Sequence, residues 1–162
     1  MELNTEDRRV GNIWVDADAC PVVIKQILFR AADRAQCLVT LLANHAMTIP
    51  PSPFVNFVQV PSGFDVADSE ILRRVEPQDL VVTADIPLAA EVVAAGSQAL
   101  SPRGEPFSAE NVRARLAVRD FMTELRDNGT HTGGPPPLDN SDRQRFANAL
   151  DRWLAKRPQP PA

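Results

Sequence analysis

The sequence predicts an α/β domain of three layers, with helices on both sides of a central, mainly parallel sheet of four or five strands. Short apolar runs of strand length alternate with segments of helical spacing from residue 13 to about residue 100. A chain of 162 residues with 44% hydrophobic and 23% charged residues is typical of one globular domain with a sizeable core. This alternation favours parallel strands that are joined by right-handed helical crossovers.

The predicted strands are short apolar runs that end in polar residues, proline or glycine. Because both faces of a parallel sheet are covered by helices, such strands are expected to be apolar throughout. The segment QALS, near residue 100, predicts a short fifth strand. The other four predicted strands cover residues 13–17, 37–43, 54–60 and 79–84.

The predicted helices begin at residues that suit a first turn and continue with apolar residues at helical spacing. Pro21 fits a first turn because the N–H that proline lacks has no partner there. Ser108 and Ser141 are predicted N-caps of the last two helices. The predicted helices cover residues 21–35, 65–75, 87–95, 108–127 and 142–156.

These elements predict a single domain over residues 12–157, with a flexible N-terminus at 1–11 and a disordered tail at 158–162. The segment 128–140, rich in glycine and proline, is a predicted flexible loop. The polar N-terminus is unlike a signal peptide, and no apolar run approaches the roughly 20 residues of a membrane span. The two cysteines form no disulfide framework, so we expect reduced thiols and a cytoplasmic protein.

The chemically informative residues are aspartates that follow the predicted strands. The segment IWVDADACPV places Asp16 and Asp18 directly after an apolar run; Asp65, Asp68 and Asp85 follow two later runs. The carboxyl ends of parallel strands meet at one edge of the sheet, where ligands bind, so we expect these acids to converge. Carboxylates forced together repel unless a proton or a cation neutralises them. Such oxygen ligands suit Mg²⁺ or Mn²⁺ rather than zinc.

A simpler interpretation is that some of these acids only cap helices. Asp65 and Asp85 both precede predicted helices, and aspartate is a favoured N-cap. Asp16 is harder to explain in this way, because an unpaired charge at the end of a buried strand is costly. Cys20 is interpreted as a small packed residue, and His131 as a loop residue.

Eight segments resemble the YaiI/YqxD family of uncharacterised bacterial proteins, over residues 12 to 157. They are VDADACPV, ANH, SGFDVADSEI, DLVVTADIPLA, SPRGEPFSAENV, RDFMTELR, GPPPLDNSDRQRF and LD. The loop HTGGPPP departs from the basic form expected in that family. The resemblance implies a PIN-like fold, a group that includes metal-dependent ribonucleases.

The PIN-like pattern has an acid after the first strand, an acid on a middle helix and a T-x-D after a later strand. By this resemblance the first acid is Asp16, with Asp18 as an additional acid beside it. The T-x-D corresponds to Thr83 and Asp85. The middle acid, often a glutamate in PIN domains, is left open among Asp65, Asp68 and Glu70.

The residues and the resemblance together predict a metal-dependent hydrolase of RNA phosphodiester bonds that uses Mg²⁺ or Mn²⁺. The predicted catalytic residues are Asp16, Asp18, Asp68, Asp85 and Thr83, and Asp65 joins the four aspartates as a predicted metal ligand. Thr83 is expected to orient a carboxylate or a water. Candidate substrate contacts are Asn44 and His45 after the second strand, and Arg113, Arg115 and Arg119 on the long helix.

Two other functions stay open. The D-x-D of DADAC also resembles haloacid-dehalogenase-like phosphatases, but these use a later lysine, and after Lys25 the only lysine is Lys156. The second alternative is a non-catalytic module that binds RNA or a protein, with the acids as caps or a structural ion site. A formal net charge of −4 argues against coating nucleic acid by charge alone. RNA cleavage, phosphate release or neither would separate the three.

Overall fold

The structure is a computed structural model that describes residues 11–63, 65–129 and 136–157. The predictions for the N-terminus before residue 11, for the tail 158–162 and for residues 130–135 of the loop 128–140, which include His131, lie outside the described residues. No helix among the described residues is long and apolar enough to cross a membrane.

One six-stranded sheet forms the centre of the domain, in the order β3-β2-β1-β4-β5-β6. Strands β1 to β5 are parallel, as predicted, and β6 pairs antiparallel with β5. The sixth strand was not predicted, because two residues that include a proline give no strand signal. Proline is tolerated there because the strand lies at the sheet edge. The strands are β1 Ile13–Asp16, β2 Val39–Ala43, β3 Val55–Gln59, β4 Leu80–Val82, β5 Gln98–Leu100 and β6 Pro106–Phe107.

Five α-helices confirm the predicted helices, with one correction at an N-terminus. Ser108 caps its helix as predicted, in a reciprocal capping box with Asn111. Ser141 is not a cap: the last helix starts two residues earlier than predicted, and its N-cap is Asp139, which pairs with Asp142. A carboxylate two positions upstream therefore takes the capping role. The helices are α1 Val22–Ala35, α2 Val66–Arg74, α3 Ile86–Ala94, α4 Ala109–Asp127 and α5 Asn140–Lys156.

Alternation along β1 divides the core into two layers and sets the position of Asp16. Ile13 and Val15 pack into one core, which includes buried residues of α1 and α5. Trp14 packs into the opposite core, which includes buried residues of α2, α3 and α4. Side chains two residues apart on a strand share a face, so Asp16 lies on the side of α2 and α3. The result is the predicted three-layer α/β architecture, consistent with a PIN-like fold.

The strand order reverses between β1 and β4. The chain runs from β1 outward through β2 to β3, and then returns to place β4 on the other side of β1. Residues 13–15 pair with Leu80, Val81 and Val82, which confirms the predicted neighbourhood of these two segments. Such a switch point opens a crevice at the carboxyl ends of the strands, where open α/β sheets bind ligands.

Asp79 joins the amino ends of β1 and β4, a role that sequence reasoning missed. Asp79 is buried, with 2% of the residue exposed. It accepts hydrogen bonds from the Trp14 indole Nε1–H and from the backbone N–H groups of Asn12 and Glu76, each at 2.9 Å. The buried indole donor of Trp14 is thereby satisfied, which fixes the ring within the core.

Replacing Asp79 by alanine should destabilise the fold strongly, because its donors lose their acceptor in a buried setting. We expect a loss of about 3 kcal/mol in the free energy of unfolding, measured by urea denaturation. Asp151→Ala is the control: its ion pair with Arg34 joins side chains that are 58% and 62% exposed. That control should cost less than about 1 kcal/mol. Equal losses in the two variants would contradict the structural role of Asp79.

Candidate metal centre

One cleft is lined by all five aspartates that were predicted as metal ligands, and it is named here the acidic cleft. It has a volume of about 180 Å³ and lies at the carboxyl ends of β1 and β4. Asn44, directly after β2, and Gly63, from the loop after β3, also line it. The acids are Asp16, Asp18, Asp65, Asp68 and Asp85.

Three of these acids form a compact group, named here the carboxylate cluster: Asp65, Asp68 and Asp85. One carboxylate oxygen of each lies within 4.8 Å of the others. Asp65 occupies the N-cap position of α2 with a left-handed backbone (φ 61°), but its side chain makes no capping hydrogen bond. Capping therefore does not explain Asp65. Asp68 extends from the first turn of the same helix.

Asp85 caps α3 and belongs to the carboxylate cluster at the same time. Its Oδ1 accepts a hydrogen bond from the Leu88 backbone N–H at 3.0 Å, which confirms the predicted cap. A carboxylate has two oxygens and several lone pairs, so a single capping bond leaves capacity for a further interaction. The cap fixes the position of the Asp85 side chain and leaves lone pairs of the carboxylate available.

Thr83 connects the first strand to the carboxylate cluster. Its hydroxyl donates to Asp16 Oδ2 and accepts from the backbone N–H of Asp85, each at 3.0 Å. Asp16 is 7% exposed. Burial raises the pKa of Asp16, the Thr83 hydrogen bond counteracts this, and the charges of Asp85 and Asp18 raise it further. The threonine therefore orients one acid and positions the backbone of another.

Asp18 is held on the other side of the cleft by residues that follow β2. Its carboxylate accepts from the Asn44 backbone N–H at 3.1 Å and from His45 Nδ1 at 2.8 Å. Asp18 lies in a short 3-10 helix, Ala17–Ala19, directly after β1. The structure thus brings the predicted Asn44 into the lining of the acidic cleft and the predicted His45 into contact with Asp18.

The cluster is electrostatically strained when no cation is bound. The pKa of Asp68 is raised to about 7, first by burial and then by the charges of Asp85 and Asp16, a hydrogen bond with Asp85 and the charge of Asp65. A shared proton is one way to hold these carboxylates together, and a cation is the other. Asp68 is consequently the acid in the cleft most sensitive to its surroundings.

Three other candidate residues from the sequence do not line the acidic cleft. Glu70 is bound by Arg73 and Arg74 on α2, and these hydrogen bonds lower its pKa to about 2. Arg113 is exposed on α4, and Arg119 lines a separate open groove. Neither arginine lines the acidic cleft.

The two cysteines are buried, and burial raises the pKa of Cys20 to about 12 and that of Cys37 to about 11. Neither therefore has the thiolate character of a nucleophile, in agreement with the interpretation of Cys20 as a packed residue.

Sequence reasoning missed a second cavity at the same edge of the sheet, which includes Arg103, Glu105 and Arg115 in its lining. Only the compact turn PRG, followed by a glutamate, hinted at a structured hairpin there.

The raised pKa of Asp68 predicts a pH-dependent stability in the absence of metal. An acid whose pKa rises from 3.8 to about 7 on folding disfavours the folded state increasingly as the pH rises through this interval. Asp68→Asn mimics the protonated acid, so it should stabilise the protein in EDTA at about pH 8 and have little effect at about pH 4. Urea unfolding at the two pH values measures this. A difference between variant and wild type that does not change with pH would contradict the electrostatic strain.

Comparison with known proteins identifies the family of this chain. Residues 14–156 match the family described as "Uncharacterized BCR, YaiI/YqxD family". A UPF0178 protein of Shewanella amazonensis is 63% identical over 147 residues, 91% of this chain and 99% of that protein. A UPF0178 protein of Colwellia psychrerythraea is 64% identical over 144 residues, 89% of this chain and 95% of that protein. No solved structure matches the chain. The chain belongs to the YaiI/YqxD family.

Proposed function

We propose that this protein is a metal-dependent hydrolase of phosphodiester bonds in RNA, with its centre in the acidic cleft. The observation that carries the proposal is the convergence of Asp65, Asp68 and Asp85 within 4.8 Å at the strand switch point. Asp16, buried beside them, adds a fourth carboxylate to the cleft. The PIN-like resemblance stated above supports the same reaction class.

The donor set fits Mg²⁺ or Mn²⁺. The carboxylate cluster offers only hard oxygen ligands, and these suit Mg²⁺ and Mn²⁺. A bound ion would draw together these three oxygens, which lie within 4.8 Å of one another. The raised pKa of Asp68 supports the fit, because a bound cation would favour the charged carboxylate that burial and the neighbouring acids disfavour.

The residues divide into ligands and groups that position them. Asp65, Asp68 and Asp85 would hold the ion, with Asp16 and Asp18 as further acids in the cleft. Thr83 would keep the Asp16 carboxylate fixed, and the α3 cap would do the same for Asp85. A bound ion would lower the pKa of an attacking water and would neutralise the charge that develops on the phosphate.

The acidic cleft can bind an anionic phosphate only when a cation neutralises the negative charge of its carboxylates. Asn44 lines the cleft and could contact the strand, and His45 lies against Asp18, which orients it through Nδ1. No lysine lies among the described residues that line the acidic cleft, so no group there favours the phosphatase alternative.

Metal binding should appear as stabilisation. An ion that binds the folded state alone raises the melting temperature by mass action, so millimolar Mn²⁺ should raise that of the wild type. Asp85→Asn should abolish the rise yet stay folded, because asparagine also caps helices well. Asp151→Asn, an exposed change on α5, is the matched control and should keep the full rise. A melting curve insensitive to Mg²⁺ and Mn²⁺ in the wild type would contradict the metal site.

Activity is tested with purified protein, Mn²⁺ and a panel of single-stranded and structured RNAs, with EDTA as the blank. We expect Thr83→Val to lose about 10- to 100-fold in cleavage rate, as outer groups of metal sites do. Asp85→Asn should lose more than Thr83→Val, because it removes a ligand. Cleavage that persists equally in both variants would indicate a contaminating nuclease and contradict the proposal.

A further inference from the structure

A second cavity lies next to the acidic cleft, and we name it the hairpin pocket. It has a volume of about 460 Å³ and includes Pro21, Ile86, Arg103, Glu105, Phe107 and Arg115 in its lining. The two cavities share short segments of chain. Asp85 lines the acidic cleft, whereas its neighbours Ala84 and Ile86 line the hairpin pocket. Likewise, Asp18 lines the acidic cleft and the next residue, Ala19, lines the hairpin pocket. A ligand that fills one cavity therefore lies beside the other.

The walls of the hairpin pocket combine apolar surface with charged groups. The guanidinium of Arg115 lies 5.5 Å from the centre of the Phe107 ring and forms an ion pair with Glu105. Both charged side chains keep free surface, 37% exposed for Arg115 and 40% for Glu105. Arg103 is held against Asp142 at 2.7 Å and also donates to the Pro136 carbonyl. Two guanidinium groups and one carboxylate thus border an apolar floor.

The β5–β6 hairpin, which carries Arg103 and Glu105, is held by hydrogen bonds and by close packing on α5. The Ser101 hydroxyl oxygen accepts hydrogen bonds from the backbone N–H groups of Arg103 and Glu105, at 3.2 and 3.1 Å. Gly104 adopts φ +87°, and any side chain there would collide with the backbone of Arg145 and Phe146 on α5. Close packing on α5 therefore fixes the hairpin, and a preorganised wall reduces the entropy lost when a ligand binds.

We propose that the hairpin pocket binds one nucleotide. Its volume lies within the usual range for small-ligand sites, and its apolar walls suit a base. Arg103 and Arg115 offer donors to a phosphate or to base acceptors, and Glu105 offers an acceptor to base N–H groups. Guanine, with acceptors at O6 and N7 and N–H donors on its opposite edge, matches both kinds of group. As a subsite for the nucleotide that flanks the cleaved bond, the pocket rests on the proposed function.

The test uses guanosine 5′-monophosphate in EDTA, so that binding is measured without any metal. Ligand-observed NMR titration should show saturable binding to the wild type. Ribose 5-phosphate should bind at least tenfold more weakly, because it lacks the base. Arg115→Gln should weaken nucleotide binding at least tenfold. Arg126→Gln, an exposed change in the last turn of the same helix, is the matched control and should bind like the wild type.

A filling variant guards against misfolding of Arg115→Gln. Ala19 is exposed at the mouth of the pocket, so Ala19→Trp should block binding while its melting temperature stays near that of the wild type. No binding to the wild type, equal binding of ribose 5-phosphate, or full binding by Ala19→Trp would overturn the proposal.

The failure of this proposal is distinguishable from failure of the metal site. If the nucleotide binds and Mn²⁺ does not shift the melting temperature, the results support nucleotide binding in the hairpin pocket and contradict the metal-dependent hydrolase. If Mn²⁺ shifts the melting temperature and nucleotide does not bind, only the hairpin pocket fails. Arg115→Gln should keep the Mn²⁺ shift of the wild type, because Arg115 lies outside the acidic cleft.

Discussion

The parallel pairing of β1 with β4 is the constraint on which the rest of the structure depends. The pair is tied at both ends by side chains. At the amino end Asp79 accepts from the Trp14 indole, and at the carboxyl end Thr83 donates to Asp16. These two buried hydrogen bonds cross between the same two strands, so they fix the register that brings Asp16 beside the loop of Asp85. Loss of that register would move Asp16 to the opposite face of the sheet.

The second level of organisation is electrostatic. The start of α2 brings Asp65 and Asp68 against Asp85, although like charges oppose that arrangement. The fold holds the acids by covalent and hydrogen-bonded supports: the left-handed backbone of Asp65, the α3 cap at Asp85 and the Thr83 bridge. Groups that destabilise a protein in this way are common at functional sites, where a bound ligand offsets the repulsion.

The last two helices, α4 and α5, contact the β5–β6 hairpin at the same edge of the sheet. Asp142 in the first turn of α5 binds Arg103, and the backbone of α5 packs against Gly104. α4 contributes Arg115 over Phe107. These helices therefore cover the sheet and also position the charged hairpin next to the acidic cleft.

The sequence by itself determined the alternation of elements, the parallel sheet and the identity of the acids. Apolar runs of strand length and the periodicity of the helices follow from local chemistry, and so does the cap at Ser108. The rule that strand ends share an edge was enough to predict one cleft for Asp16, Asp68 and Asp85. Only the tertiary structure decided which acids form the compact cluster, that Glu70 pairs with arginines instead, and that Asp79 clamps two strands. It also decided the sixth strand and the hairpin pocket. These features depend on distances between segments far apart in the chain, and local patterns contain no information about such distances.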